Sequence, residues 1–389
     1  MESIIEGGYV FDLKSLYGRM QDLHDSRKAR GKRYKLATIL VIIFLAKLCG
    51  EDRPIGIAEW ARHRGKWLAK TLGLERESMP HHNTYRRILA EVVDENEFEE
   101  LARGYFLHHG EAGYHVVVSM DGKVLRGTID KDPNDGLYLL ALFLPEEGIT
   151  LAQVVVEDKQ NEISVAPKAL EYIHLRNKVV IGDALHTQRQ ISIQIGRAGG
   201  DYLWTVKANQ SQLLEDIQRW FDEEVPLLPG MGYLPKDFRS ATITNKGHGR
   251  IEMRTLTTSS QLVDFLDWPF HQQVFKLERQ TTTQKTRRYH REVVYGITSL
   301  SADQVTPDQL LRMLRSYWMI ENSLHYRRDV TLQEDRTRFT SHSAAHIMAV
   351  INNVLLGILA RSSEHRYIPA ARRFFAAHPD SAFQLLIRL

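Results

Sequence analysis

The stretch YHVVVSMDGKVLRGT at residues 114–128 decides the fold, because the hydrophobic pattern changes there from a helical period to that of a strand. Its β-branched first half, residues 114–120, predicts a strand. Two further apolar runs, at residues 137–144 and 151–157, predict strands that pair with it as an antiparallel meander. The middle of the chain is therefore expected to contain a sheet.

The residues that follow alternate between helical and strand patterns. Helices are predicted at 163–175 and 187–198, and short strands at 178–181 and 201–206. The order βββαβαβ indicates an α/β domain with a mixed sheet. Asp121 is expected to close the first strand and Asp183 the fourth. Open α/β sheets commonly place their chemistry at strand ends.

A second informative stretch is RSYWMIENSLHYRRDVTLQEDRTR at residues 315–338, in a helix predicted to start near residue 306. At about 100° per residue, one face of this helix carries an unusual set of side chains. These are Tyr317, Trp318, Glu321, His325 and Arg328. The alternative interpretation is a solvated amphipathic helix with local ion pairs.

The remaining segments complete the expected organisation. Residues 10–110 have helical patterns. In the segment HHNTYRRIL at 81–89, His82 or Asn83 can cap a helix, and the short helices of this region are compatible with a helix-turn-helix unit. The apolar run at 36–49 is shorter than the roughly 18 residues that cross a bilayer, so it predicts a buried helix. Residues 238–300 predict a β-rich insertion, and helices are expected at 211–224 and 343–359.

Composition excludes several classes of protein. With 389 residues, 43% of them hydrophobic, the chain can bury a large core. Its single cysteine, Cys49, excludes an internal disulfide and a cysteine-based zinc site. The N-terminus has no secretory signal pattern, so a cytoplasmic location is expected.

The net charge of +3 is too small to indicate a polyanion-binding protein by itself. Positive charge is concentrated near the N-terminus, in SRKARGKRYK at residues 26–35 and in Arg86 and Arg87. Such clusters can bind a phosphate backbone, and the alternative is a solvated charged face.

Asp121, Asp183 and Glu321 offer only oxygen ligands, which suit Mg²⁺ or Mn²⁺. Two such ions could hold the attacking and leaving oxygens of a phosphodiester displacement. Each residue also has a structural interpretation. Asp121 could begin a turn with the next glycine, Asp183 could cap a helix, and Glu321 could pair with His325 or Arg328.

Other chemistries have less support. The sequence contains no dinucleotide-binding, P-loop, nucleophile-elbow or H-E-x-x-H motif. A glycosidase could use Asp183 and Glu321 as its two carboxylates, but nothing indicates an aromatic platform for sugars.

Five strings, in order along the chain, resemble the ISAs1 family of insertion-sequence transposases, including the H-repeat-associated proteins. They are SMDGKVLRGT (119–128), NEISVAPKALEYIHLRNKVVIGDALHTQ (161–188), DYLWTVKANQ (201–210), KGHGRIEMRTL (246–256) and SYWMIENSLHYRRDVTLQEDRTR (316–338). In the broader IS4-type pattern, Leu314 and Tyr317 stand where a tyrosine and an arginine are usual. Arg328 fits the basic position seven residues after the glutamate.

The resemblance implies a ribonuclease-H-like α/β fold with a mixed sheet, flanking helices and a DDE triad of Asp121, Asp183 and Glu321. It implies that these three residues hold two Mg²⁺ or Mn²⁺ ions. Four parts are expected: an N-terminal helical domain (1–112), the first part of the catalytic domain (113–225), a β-rich insertion before the last catalytic helix (226–302) and a C-terminal helical part (303–389). Residues expected to contact DNA are Lys123, Arg126, His186, Lys207, His325, Arg328, Arg86 and Arg87.

The implied function is metal-dependent hydrolysis at the ends of an insertion sequence, followed by attack of the freed 3′-hydroxyl on target DNA. The expected partners are both kinds of DNA and a second copy of the chain, as a homodimer that synapses two ends. No membrane is expected, and the location is the bacterial cytoplasm, at the nucleoid when DNA is bound. Two alternatives are a catalytically silent or domesticated DNA-binding protein and a nuclease of the same fold that does not transpose.

Overall fold

The computed structural model describes residues 3–6, 9–12, 14–106, 113–129, 136–157, 161–224, 234–247, 249–339, 341–362, 365 and 367–388. Its strands are β1 Ser3–Glu6, β2 Tyr9–Asp12, β3 Val116–Leu125, β4 Leu137–Leu144, β5 Ile149–Val156, β6 Lys178–Gly182, β7 Asp201–Val206, β8 Arg239–Gly247, β9 Arg250–Ser259, β10 Gln273–Thr283 and β11 Tyr289–Thr298. The first two form a hairpin, and the other nine form one sheet.

The sheet has the order β5-β4-β3-β6-β7-β11-β10-β9-β8. In its first half, β3, β4 and β5 form an antiparallel meander, whereas β6 runs parallel to both β3 and β7. This arrangement is that of a ribonuclease-H-like sheet, so the predicted mixed α/β fold is confirmed. All five residues of β6 are buried, as expected for a parallel strand with helices on both faces.

Thirteen α-helices surround the sheet in the described part of the chain. They are α1 Leu16–Met20, α2 Leu36–Leu48, α3 Pro54–His63, α4 Gly65–Leu72, α5 His82–Arg87, α6 Glu95–Tyr105, α7 Glu162–Glu171, α8 Arg189–Arg197, α9 Ser211–Asp222, α10 Pro307–Met319, α11 His342–Arg361, α12 Ile368–Ala377 and α13 Pro379–Ile387. Wider π-helical turns continue α5 over Ile88–Val92 and α10 over Ile320–His325 and Arg327–Thr331.

Helices cover the two faces of the sheet differently. Val118 and Val180 share a core with Val165 of α7. On the opposite face, Val117 and Val179 pack against a separate cluster that contains leucines of α10. Since side chains alternate along a strand, this division places α10 across the strands that carry Asp121 and Asp183.

The N-terminal helices do not have a core of their own in the described residues. Every residue of α2 is buried, as predicted from its apolar run, and its side chains share one core with α11, α12 and α13. Helix α11 is long and apolar enough to cross a membrane, but 89% of its most apolar part is buried within the fold. It is therefore a core helix. The domain boundary at residue 112 stays a prediction.

Several local predictions are wrong. The region from residue 10 onward is not helical from its start, because Tyr9–Asp12 pairs with Ser3–Glu6. The side chain of His81, rather than that of His82 or Asn83, caps α5, because its Nδ1 accepts the Asn83 amide at 3.4 Å. The predicted β-rich segment is present as β8 to β11, and it also extends the central sheet, since β11 pairs with β7 in antiparallel orientation.

A buried histidine links the N-terminal helices to α11. His346 lies with Nδ1 3.0 Å from Glu95 and Nε2 2.9 Å from Glu99, both on α6. Burial alone would lower the pKa of His346, but the bonds to Glu99 and Glu95 outweigh it and raise the pKa above its ordinary value. The protonated form therefore stabilises the fold.

Replacing His346 with glutamine should lower the free energy of unfolding by about 2 kcal/mol near pH 6, because a charged hydrogen-bond donor is lost. A raised folded-state pKa contributes its full stability below the unfolded pKa of about 6.5 and loses it as pH rises through the folded value. Urea denaturation between pH 5.5 and 9 should therefore show the difference from wild type shrinking with pH. The control is His342→Gln, an exposed histidine at the start of the same helix. A pH-independent difference would contradict the assignment.

Candidate active site

A cleft of about 650 Å³ lies where β3 and β6 approach α10. Its lining contains all three acidic residues of the predicted triad, Asp121, Asp183 and Glu321. Strands β9, β10 and β11 contribute Arg254, Arg279 and Glu292 to the same wall. The cleft thus joins the two halves of the sheet to the helix that carries the glutamate.

The two aspartates come together through strand pairing. Met120 of β3 pairs with Gly182 of β6 in parallel register, so the next residue on each strand is an aspartate at the same level of the sheet. Asp183 directly follows β6, as predicted. Asp121 does not end β3, because the strand continues to Leu125 along β4 and Gly122 pairs with Leu140.

Glu321 is presented by the irregular end of the long helix. Thr306 caps α10 with a capping box to Gln309, as expected from the sequence around residue 306. The π-helical turns begin at Ile320, immediately before the glutamate. Such turns are frequent at functional sites. They also change the predicted helix face that carries Glu321, because this segment no longer follows the regular α-helical period.

Asp121 is held by two side chains of the glutamate helix. Tyr317 donates its hydroxyl to Oδ1 over 3.4 Å, and His325 Nε2 lies 3.2 Å from Oδ2. Burial and the charge of Asp121 raise the pKa of Tyr317, so its phenol remains a donor. Ligand atoms of Asp121, Glu321 and His325 all lie within 4.8 Å of one another. This donor set fits a divalent cation.

Asp183 is held by a different set of residues. Its Oδ1 accepts the Leu185 amide at 2.9 Å and lies 3.1 Å from His186 Nδ1. The other ring nitrogen of His186 lies 3.1 Å from Glu162 Oε2, and Tyr138 donates its hydroxyl to the same glutamate. We call Tyr138, Glu162 and His186 the Asp183 support.

The charges in this support reinforce one another. Burial alone would lower the pKa of His186, but the contacts with Asp183 and Glu162 raise it to about 9. Burial alone would raise the pKa of Asp183, and the contact with His186 lowers it below the ordinary value. An imidazolium between two carboxylates therefore fixes one oxygen of Asp183, while about half of its side chain stays exposed to the cleft.

Two glycines beside the aspartates make room for this support. A Cβ atom at Gly122 would lie 2.5 Å from the carboxyl carbon of Glu162 and 2.7 Å from the ring of Tyr138. A Cβ atom at Gly182 would lie 3.0 Å from His186 Nδ1. The strings D-G-K and G-D-A-L-H therefore have a steric explanation, because a larger residue would displace the groups that hold Asp183.

Comparisons with known proteins agree with this geometry. A family model described as "Transposase DDE domain" matches residues 113–357, and one described as "DDE_Tnp_1-associated" matches residues 17–106. The chain belongs to the DDE transposase family. Its function is that of a DNA transposase.

Similar proteins cover most of the chain. "Putative transposase YncI" of Escherichia coli O157:H7 is 28% identical over 89% of this chain and 87% of its own length. "H repeat-associated putative transposase YhhI" of Escherichia coli K12 is 25% identical over 90% of this chain and 91% of its own length. A solved structure of a piggyBac transposase synaptic complex with hairpin DNA covers 95% of this chain and 77% of that chain, with 9% identity and a TM-score of 0.44.

The transposase exposes some of the residues predicted to contact DNA. Lys207 is exposed and lines the cleft, and Arg126 is exposed on a neighbouring surface. Arg86 and Arg87 are exposed on α5. Lys123 is largely buried, and its ammonium lies 2.6 Å from Asp329.

Other predicted DNA contacts lie in the interior of the transposase. His186 and Arg328 have no exposed surface, so neither reaches a phosphate backbone in this conformation. Arg328 instead forms an ion pair of 2.8 Å with Glu334, because the turns after Glu321 direct it away from the cleft. His325 is 5% exposed and lies against Asp121.

Sequence reasoning named His186 only as a DNA contact, and it missed Tyr138, Glu162 and part of the cleft wall. Glu162 stands within the string at 161–188 and immediately follows the helix cap Asn161, in the first helical turn where acidic residues are common. Arg279 lies in the predicted β-rich insertion, with its guanidinium 5.4 Å from the ring of Trp318. No local pattern pairs these residues with the aspartates, because the sheet brings them together from distant positions.

Replacing Glu162 with glutamine should lower DNA cleavage by about 10- to 100-fold and raise the Mg²⁺ concentration that cleavage requires, because groups that orient a metal ligand typically have effects of this size. The measurement is single-turnover cleavage of a labelled duplex as a function of Mg²⁺ concentration. Glu171→Gln, an exposed change at the end of the same helix, is the matched control. Equal metal dependence of the two variants would exclude a role for Glu162.

Proposed function

We propose that this transposase cuts phosphodiester bonds at the ends of its element and joins the freed 3′-hydroxyls to target DNA. The residues proposed to act are Asp121, Asp183 and Glu321, holding two Mg²⁺ or Mn²⁺ ions. The observation that supports this most directly is the shared cleft, in which ligand atoms of Asp121 and Glu321 lie within 4.8 Å of each other. When bound, the ions would supply the positive charge that stabilises the attacking and leaving oxygens.

The residues of the chain hold and orient the reacting groups. Three carboxylates that face one cleft repel each other, and a divalent cation offsets that repulsion. Tyr317 and His325 fix Asp121, and His186 fixes the separate carboxylate of Asp183. Positioning and charge compensation would therefore account for most of the rate.

Cations that line the cleft and the depression beside it are proposed to hold the DNA near the carboxylates. Lys207 and Arg315 line the cleft and are both exposed. Arg126 and Lys123 line an adjacent depression that also contains Glu321. A duplex bound across both depressions would place a phosphate beside the glutamate. Binding there would require Lys123 to exchange Asp329 for a phosphate.

Two further properties belong to the proposal. The similarity to an H repeat-associated relative along nearly the whole chain supports assignment to the ISAs1 group. In the described part of the chain, one cleft contains all three carboxylates of the proposed triad, whereas an element has two ends to cut. A homodimer that brings two ends together meets that requirement. It is proposed to act in the cytoplasm, at the nucleoid.

Replacing Asp183 with asparagine should reduce cleavage of a labelled element end in Mg²⁺ by about 1000-fold or more, because charge stabilisation at the reacting phosphate is lost. Binding of the same duplex, measured by fluorescence anisotropy, should persist. Asp264→Asn, an exposed change between β9 and β10, provides the control. Cleavage at the wild-type rate by the Asp183 variant would refute the proposed metal ligand.

Replacing both Arg86 and Arg87 with glutamine should weaken DNA binding and reduce the slope of log K against log salt by about 2, because each phosphate contact contributes about one unit. Anisotropy titrations at several salt concentrations would measure this slope. The comparison variant is Arg312→Gln, an exposed arginine on α10. If the slope stays at the wild-type value, these arginines lie outside the DNA interface.

A further inference from the structure

We propose that His325 is itself a metal ligand, and that it binds the same cation as Asp121 and Glu321. This inference rests on the proposed function, but it adds a nitrogen ligand to a site otherwise made of carboxylates. It also separates the acidic residues into two groups. Asp121 and Glu321 would share one cation with His325. Asp183, held by the Asp183 support, would bind the second cation.

The spacing of the donor atoms supports this arrangement. Nε2 of His325 lies 3.2 Å from Oδ2 of Asp121, and atoms of these two residues and Glu321 lie within 4.8 Å of one another. Adjacent ligands of an octahedral ion with bonds of about 2.1 Å are about 3 Å apart. The histidine and the aspartate therefore already have the separation of two neighbouring ligands.

The local helix geometry explains why Glu321 and His325 both lie near Asp121. Glu321 and His325 are four residues apart, which places them on one face of a helical segment. Both lie in the π-helical turns Ile320–His325, where the backbone departs from the regular helix. The histidine side chain is only 6% exposed, so it has little freedom to turn away from the cluster.

The two histidines of the site have different surroundings. His186 has a carboxylate within 3.1 Å of each ring nitrogen, as a group that orients another residue would have. His325 presents Nε2 to Asp121 at 3.2 Å, and its ligand atom lies within 4.8 Å of those of Asp121 and Glu321. Asp121 does not depend on His325 alone for its orientation, because Tyr317 donates to its other oxygen. Nε2 can thus bind an ion while the aspartate stays in place.

An imidazole ligand has a chemical consequence. Carboxylates and water suit Mg²⁺ and Mn²⁺ alike, whereas a nitrogen ligand favours transition metals over Mg²⁺. The site should therefore bind Mn²⁺ more tightly than Mg²⁺, and removing the imidazole should reduce this preference. We expect the ratio of the two apparent affinities to fall about 10-fold in His325→Gln, in line with typical effects of changes around metal sites.

Pulsed electron paramagnetic resonance of the full-length protein with Mn²⁺ alone tests the assignment without DNA or activity. The wild type should show strong ¹⁴N modulation from a directly bound imidazole, and labelling with ¹⁵N-histidine should change it to the ¹⁵N pattern. The signal should be absent in His325→Gln and retained in His290→Gln, an exposed histidine on β11. Circular dichroism checks that each variant is folded.

A second variant distinguishes loss of the nitrogen ligand from misfolding of the protein. His325→Asp keeps an oxygen ligand at the same position, so it should bind Mn²⁺ without the nitrogen signal. Three results together would refute the role of His325 but leave the carboxylate site intact. They are that Mn²⁺ binds, that Asp121→Asn weakens this binding, and that the wild type shows no ¹⁴N modulation. If the folded wild type binds no Mn²⁺ and cuts no DNA with it, both the inference and the proposed function fail.

Discussion

The parallel register of β3 and β6 is the constraint on which the site depends. Because Met120 lies opposite Gly182, the residues that follow them are two aspartates on neighbouring strands. A shift of one residue would turn one of these side chains to the other face of the sheet. The register is itself specified by burial, since Val117 and Val179 face one core and Val118 and Val180 face the other. Core packing thereby sets the position of the carboxylates.

A buried network of polar side chains supports the helical segment that carries Glu321. Arg328 contacts Glu334 at 2.8 Å and Gln153 at 3.2 Å, and Asn352 donates to the same glutamate. These residues join the turns after Glu321 to β5 and α11. Removing one member of a buried ion pair typically costs about 3–5 kcal/mol, because the remaining charge has no solvent. The network therefore opposes rotation of the segment that carries Glu321 and His325.

Much of the fold could be predicted because its signals are local. The strands at 137–144 and 201–206 have the predicted bounds, since continuous apolar and β-branched runs indicate buried strands. Prediction failed where a distant partner decides the conformation. Asp121 and Gly122 have the composition of a turn, but pairing with β4 keeps them extended. Arg328 fits a regular helical stripe, but the π-helical turns and Glu334 place it inside. The spacing of residues along the sequence carries no information on either effect.

Docking of α10 is strong enough to assemble part of the site before any ion binds. Ligand oxygens of Asp121 and Glu321 within 4.8 Å of each other repel by about 1–4 kcal/mol, depending on the effective dielectric constant. Against this, Leu310, Leu311 and Leu314 are buried on the sheet face, and each contributes about 1.5–3 kcal/mol. Packing exceeds repulsion, so the helix can hold its glutamate beside the aspartate without a cation. Asp121 accepts from Tyr317 on that same helix, and the two carboxylates are consequently positioned as one unit. Asp183 is independent of this unit, because its support comes from β4, α7 and the turn after β6.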